Sequence, residues 1–259
     1  MSPNIPNLSF FIYRKINDVK DNIVWVECVK QIRNFYKYEP IFIIDDCNDK
    51  NIIIDLNNIK GLPIFNIHFL NTEDEKDVDL KGCGELACYY FYFKLKVSTK
   101  AIIIQDSFFL LKPLDNNLLN TDIRFLLGFI DNQEFSKSLV NNLILELNNG
   151  HNIIDYKYKY NWVGCFGLNS LISINYLIYL HNTYHIFNLI NDVKFKLMRE
   201  VLERAFGLLI TYDKKNFNDI SFFGLKGIFS YDLNNYFPKK DELIINDIPY
   251  FNYHQHQLE

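Results

Sequence analysis

The sequence predicts an α/β fold, a central sheet with helices on both faces. Three observations predict it. Short runs dense in β-branched residues, Ile41 to Ile44 and Ala101 to Ile104, are apolar without interruption, as strands buried on both faces of a parallel sheet are. Between such runs, apolar residues recur at helical spacing. Each run also ends abruptly in polar residues, and the carboxyl ends of strands are where open α/β sheets bind ligands.

Composition bounds the answer. With 259 residues, 49% of them hydrophobic, the chain can bury a sizeable core as a single domain over residues 1–259. A formal net charge of −4 argues against a dedicated nucleic-acid binder, which carries a basic excess. Five scattered cysteines form no CxxC pair and no zinc spacing, so reduced thiols are expected. Ser173, Asn175, His181 and Asn182 interrupt the longest apolar stretch, so no membrane span is predicted. The first residues lack the form of a signal peptide. Abundant Ile and Asn suit A+T-rich coding sequence, as in a large DNA virus or an A+T-rich microbe. The expected location is the cytoplasm, the host's if the source is viral.

In chain order, Phe10 to Tyr13 read as the first strand, closed by Arg14 and Lys15, with Asn17 or Asp18 available to cap the first helix. From about Asn22 to Tyr38, Trp25, Val29, Ile32 and Tyr36 share one helical face, and Pro40 ends that helix. Ile41 to Ile44 form the second strand, with Asp45 and Asp46 at its end. Ile64 to Leu70 form the third, after a Gly61/Pro63 turn. Gly82 and Gly84 lead into a helix on which Leu86, Tyr90, Phe93 and Val97 share a face. The fourth strand is Ala101 to Ile104, in the stretch KAIIIQDSFFLLKP, and Gln105, Asp106 and Ser107 come directly after it. Strands alternating with helices imply parallel pairing and right-handed crossovers, which gathers Tyr13, Arg14, Asp45, Asp46 and Asp106 on one sheet edge. Singly, Asp45 and Asp46 read equally as turn residues. Together with Asp106 they could accept hydrogen bonds from a nucleobase or ribose and ligate a hard cation.

The helix ending QIRNFYKYEP, succeeded by IFIIDDCND and then AIIIQDSF, resembles nucleotide-diphospho-sugar glycosyltransferases of the GT-A fold, a Rossmann-like mixed sheet. The resemblance implies a nucleotide-binding half at about 1–112 and an acceptor and donor-sugar half at about 113–259. It implies a UDP- or GDP-sugar donor and a glycan, protein or small-molecule acceptor. Asp106 matches the first acid of the family's Asp-x-Asp motif, which lies near ribose and metal. Phe108 replaces the second acid, which puts Mn2+ or Mg2+ coordination in doubt and leaves three outcomes. These are a metal on Asp106 with help from elsewhere, metal-independent transfer aided by Arg14 or Lys15, and loss of activity.

The second half is less regular. Phe109 to Lys112 and Arg124 to Ile130 read as added strands about a polar turn at Asp115 to Asn117, and Gln133 to Asn148 as a helix stopped by Asn149-Gly150. Lys157-Tyr158-Lys159-Tyr160 alternates like a half-exposed edge strand. In WVGCFG, Trp162 and Gly164 are either a donor-sugar wall, as the resemblance implies, or a tight turn with a core anchor. Asn169 is a candidate cap for a helix to about His181. His181 and His185 read as surface or capping histidines. Asp192 to Phe206 is an amphipathic helix, and Gly207 to Thr211 a late strand. Glu203, then Glu200, is the acid that the resemblance places near the acceptor hydroxyl as base. Without it, Arg199, Glu200, Glu203 and Arg204 are two ordinary i, i+4 pairs. Gly224 and Gly227 suit a closing loop, and His254 and His256 are candidate late metal ligands. A noncatalytic binding protein is the alternative function. A nucleotidyltransferase ranks third, since YRKINDV after the first strand has no glycine.

Overall fold

The computed structural model describes residues 6–47, 65–115, 120–129, 137–215, 228–230 and 250–253. Strand β1 (Leu8–Arg14) lies between β2 (Ile41–Asp45) and β4 (Lys100–Gln105) and pairs with both in parallel, while β3 (Ile67–Asn71) extends the parallel set beyond β2. On the other side of β4 the direction reverses. There β9 (Ser170–Ser173) runs antiparallel, with β6 (Ile123–Phe125) beyond it, giving the order β3-β2-β1-β4-β9-β6. This is the mixed α/β architecture expected from the sequence.

Alternation along the strands builds two cores. Phe10, Ile12, Ile41, Ile43, Ile102 and Ile104 face α1 (Asn22–Phe35), whose Trp25, Cys28, Val29 and Ile32 are buried against them. Phe11, Tyr13, Ile44, Ala101 and Ile103 face the opposite layer, which holds α2 (Leu86–Leu95), α3 (Lys137–Leu145), α4 (Gly150–Lys159), α5 (Ile174–Tyr184) and α6 (Lys196–Lys214). Period-two side chains on a strand covered on both faces explain why these runs carry no polar residue until they end. Arg33 anchors the end of α1 by donating to the carbonyls of Tyr36, Glu39 and Phe65.

Several expectations are corrected. Gly207 to Thr211 is not a strand but continues α6 to Lys214. Leu208, Leu209 and Ile210 stay buried in that helix, and Gly207 lets it press on Val163 and Gly164, since a Cβ there would stand 2.1 Å from the Val163 carbonyl oxygen. Lys157 to Lys159 are the last turn of α4, where Tyr156 and Tyr160, four apart, stack at 4.7 Å, so the apparent alternation is helical. Asn169 caps no α-helix. It precedes β9, and α5 is capped by Ser173, whose hydroxyl accepts from the Tyr176 N–H. Neither Asn17 nor Asp18 caps the first helix; Asp21 instead accepts both of their backbone N–H groups. The stretch from Arg124 divides between β6 and β7 (Gly128–Phe129), and β7 pairs with β8 (Gly164–Cys165). The strand expected at Phe109 to Lys112 is β5 (Phe108–Leu110), which joins a separate sheet with β10 (Ile228–Ser230) and β11 (Tyr250–Tyr253). The Gly61/Pro63 turn, Gly224, Gly227, His254 and His256 lie outside the described residues. Among the described residues no helix is long and apolar enough to cross a membrane.

Candidate active site

The carboxyl edge of the parallel strands brings the predicted acids together. The Asp46 N–H donates to the Arg14 carbonyl and the Asp106 N–H to the Tyr13 carbonyl, so both acids flank the end of β1. Their side chains meet different fates. Arg14, 1% exposed, donates through Nη2 to Asp45 Oδ2 at 2.7 Å. Its guanidinium lies 4.9 Å from the ring centres of both Trp25 and Phe69, while its Nε and Nη1 have no partner. Asp46 is engaged by the Tyr13 hydroxyl at 2.7 Å, the Thr72 hydroxyl at 3.0 Å and the Gly82 N–H. Asp45 and Asp46 therefore hold the loop after β3 and the end of β1 in place.

Asp106 is different. It is half-buried at the end of β4, with Arg14, Asp21 and Glu85 close enough to act on its charge. Burial pushes its carboxyl up to about 7. Arg14 opposes that rise, while Asp21 and Glu85 add to it.

Glu203 is half-buried on α6. It accepts the Gly167 N–H at 2.9 Å, and Gly167, at φ +55, packs so tightly that a Cβ would stand 2.7 Å from Gln105. Burial is the main force pushing the Glu203 carboxyl up to about 8. The Gly167 N–H opposes it, and the nearby Glu85 raises it further. Glu200 is exposed and offers its backbone carbonyl to Arg204.

Sequence reasoning missed the residues that join these two carboxyls. Glu85, just before α2, is buried, accepts from Gln105 Nε2 at 2.6 Å and is an electrostatic neighbour of both Asp106 and Glu203. Burial raises its carboxyl too, and Arg199 is the cation that opposes that rise first. Arg199 also donates to the Gly82 carbonyl, and its stem lies where a Gly84 side chain would be. Asn169 accepts the Gln105 N–H and donates to the Phe166 carbonyl, tying β4 to the entrance of β9. The signal that could have found Glu85 is its setting: a lone Glu opening an apolar helix after two glycines has no solvated face to occupy.

Gly164 is buried, and a Cβ on it would stand 2.2 Å from the Phe129 ring, so its small size serves packing. Trp162 is half-buried against the larger core. Lys15 is half-buried just beyond β1.

A divalent cation needs several oxygen ligands. Phe108, in place of a second acid, points into the core at 1% exposure. Among the described residues no group of three His, Cys, Asp or Glu could hold a metal ion. Among the described residues, Asp106 therefore has no second and third ligand of these types beside it.

No family model and no curated protein matches the chain. Its structural neighbours are glycosyltransferases of the GT-A fold, at low sequence identity. Three of them illustrate the range. The mannosyltransferase Ktr4p from S. cerevisiae is 11% identical with a TM-score of 0.42, over 79% of this chain and 62% of that one. The galactosyltransferase LgtC, solved with donor and acceptor sugar analogues, is 11% identical with a TM-score of 0.42, over 96% of this chain and 87% of that one. Core-mannan synthase A from Aspergillus fumigatus, in a Mn/GDP form, is 9% identical with a TM-score of 0.42, over 80% of this chain and 67% of that one. The chain thus spans less than two thirds of Ktr4p.

Proposed function

We propose that this protein is a glycosyltransferase that moves a hexosyl or related sugar from a UDP- or GDP-sugar to an acceptor hydroxyl on a glycan, protein or small molecule. The observation that carries the reading is that Asp106, at the end of β4, and Glu203, on α6, come from opposite halves of the chain and both lie near the buried Glu85, which is tied to Gln105. In this reading the acceptor oxygen attacks the anomeric carbon and the bond from that carbon to the diphosphate breaks. Its electron pair leaves on the phosphate oxygen, and the acceptor proton passes to the Glu203 carboxylate. A base poised near neutrality suits that step. A carboxyl raised to about 8 is only partly ionised at pH 7, so transfer rises with pH through that value.

Asp106 takes the ribose side, beside Tyr13, Arg14, Asp45 and Asp46, which frame the nucleotide end. Trp162, half-buried like Phe166 in the same segment, offers its remaining surface to a sugar face, the small size of Gly164 serving the contact with Phe129. In this reading Arg14 or Lys15 would offset diphosphate charge, and Arg199, half-buried beside Glu85, is a further candidate cation for that task. Glu200 is the weaker candidate base because it stands in solvent.

One observation favours a second reading, a noncatalytic binding protein on the same scaffold: Asp45 and Asp46 are already satisfied by internal partners, and the second acid of the motif is a core phenylalanine. Thermal-shift measurements with UDP and GDP, with and without Mn2+, and then hydrolysis assays on UDP- and GDP-sugars, separate the two. Stabilisation plus slow sugar release supports the enzyme, and stabilisation without turnover supports the binding protein. If no nucleoside diphosphate stabilises the chain, the enzyme reading of this edge fails and a binding protein for another kind of partner is favoured.

A further inference from the structure

As a base, Glu203 needs its carboxylate held in one place, and the turn before β9 supplies the hold. The Gly167 N–H donates to Glu203 Oε1 at 2.9 Å from a turn, Phe166–Leu168, in which Gly167 takes φ +55. Asn169 closes that turn by donating through Nδ2 and through its own N–H to the Phe166 carbonyl.

Gln105, the last residue of β4, grips the same turn twice. Its N–H donates to Asn169 Oδ1 at 2.9 Å. Its side-chain amide occupies the space beside Gly167, where a Cβ would stand 2.7 Å from Cδ and 2.8 Å from Oε1. The amide is held there by Glu85, which accepts Nε2 at 2.6 Å and is 5% exposed just before α2. A buried carboxyl is a costly device for filling space, whereas a satisfied one fixes the geometry of what it binds. Arg199 offsets part of that cost, since it donates to the Gly82 carbonyl and favours the charged form of Glu85. Glu85, Gln105, Gly167 and Glu203, from four separate stretches of the chain, thus form one series in which each is held by the one before.

We propose that Glu85 is a positioning residue for Glu203: by orienting the Gln105 amide it keeps the Gly167 turn in place, and with it the N–H that holds the Glu203 carboxylate. Its effect on transfer rests on the reading of Glu203 as the base. Its hold on the Glu203 carboxyl does not.

Two measurements on the full chain test the proposal. The first is steady-state transfer or hydrolysis of whichever UDP- or GDP-sugar the unaltered protein accepts. Glu85→Ala and Gln105→Ala are each expected to lower kcat about ten- to a hundredfold, the scale of a misplaced catalytic group, with the donor KM within about threefold. Glu85→Gln keeps an oxygen for Gln105 Nε2 and is expected to recover most of that loss. A role in folding alone lowers stability in the alanine variants but leaves kcat per folded molecule unchanged, and that result overturns the proposal. A Glu85→Gln variant as slow as Glu85→Ala overturns it too.

The second measurement needs no donor. Glu203→Gln is made in the unaltered chain and in Gln105→Ala, which leaves the Glu85 charge in place, and urea denaturation near about pH 9 reads how much the substitution stabilises each. A carboxyl held away from water gains by losing its charge, and one released into water does not. The gain is expected to shrink by about half or more in the Gln105→Ala background. An equal gain in both backgrounds overturns the proposal. If the unaltered protein turns over no nucleotide sugar, the proposed reaction fails, and the second measurement still decides whether the series holds Glu203. If it turns over a donor and the alanine variants match it, this inference alone fails.

Discussion

Replacing Glu203 by Gln should make the protein more stable in alkali while leaving its stability in acid unchanged. The Glu203 carboxyl is raised from 4.5 to about 8, chiefly by burial. A raised acid favours the folded state fully below the unfolded value. Between about 4.5 and 8 the unfolded chain ionises while the folded one does not, so stability falls across that window and is level above it. At 1.36 kcal/mol per pKa unit, the displacement sets a ceiling of about 5 kcal/mol. Solvent reaches part of the group, so about 1–3 kcal/mol is the realistic range. Gln keeps the shape and an oxygen for the Gly167 N–H but cannot ionise. Urea denaturation of both proteins at intervals from about pH 4.5 to 9 measures the effect, since the titrations of groups not coupled to Glu203 cancel in the difference. The two curves should coincide near the acid end and separate progressively, with the variant more stable by about 1–3 kcal/mol above pH 8. Parallel pH profiles, or a variant weaker at the alkaline end, would refute the claim that the fold holds this carboxyl against its ionisation.

Packing sets three more outcomes. Gly207→Ala should cost about 2–3 kcal/mol in urea denaturation despite the better helix propensity of Ala, because its methyl meets the Val163 carbonyl at 2.1 Å and Gly164 at 2.6 Å. Arg14→Met and Asp45→Asn should each cost about 3–5 kcal/mol by stranding a buried charge, and the double variant should cost clearly less than their sum; an additive cycle would show that the pair is not coupled. Asp213→Asn should lower stability by about 1–3 kcal/mol in thermal unfolding, since an amide has one oxygen for three phenolic donors.

The first half of the fold was legible because β1, β2 and β4 are covered on both faces, and unbroken Ile and Phe runs have few other uses. The ends of those runs located Asp46 and Asp106 correctly on one edge. What Asp46 does there was not legible, because its partners Thr72 and Gly82 are 26 and 36 residues away. Glu203 stood out within an amphipathic helix, but its burial depends on the turn at Gly167, which no helical periodicity encodes. The late strand at Gly207 was misread for a related reason. A glycine inside a helix normally weakens it, and only the contact with β8 shows why this one is there. In the same way β9 is only four residues long, and its Ser-Leu-Ile-Ser pattern resembled the start of α5.

The reversal of direction between β4 and β9 has a consequence for how such a molecule can change. On one side the chain arrives from departing strands, which end in Arg14, Asp45 and Gln105; on the other it arrives through the turn that enters β9, with Gly167 and Asn169. The two sides are thus separate stretches of sequence, held together by the ladder of β4 with β9 and by the contact of Asn169 with Gln105. Residues of the entering turn can be exchanged while the departing strand ends stay as they are, so novelty and inheritance can be divided between the two.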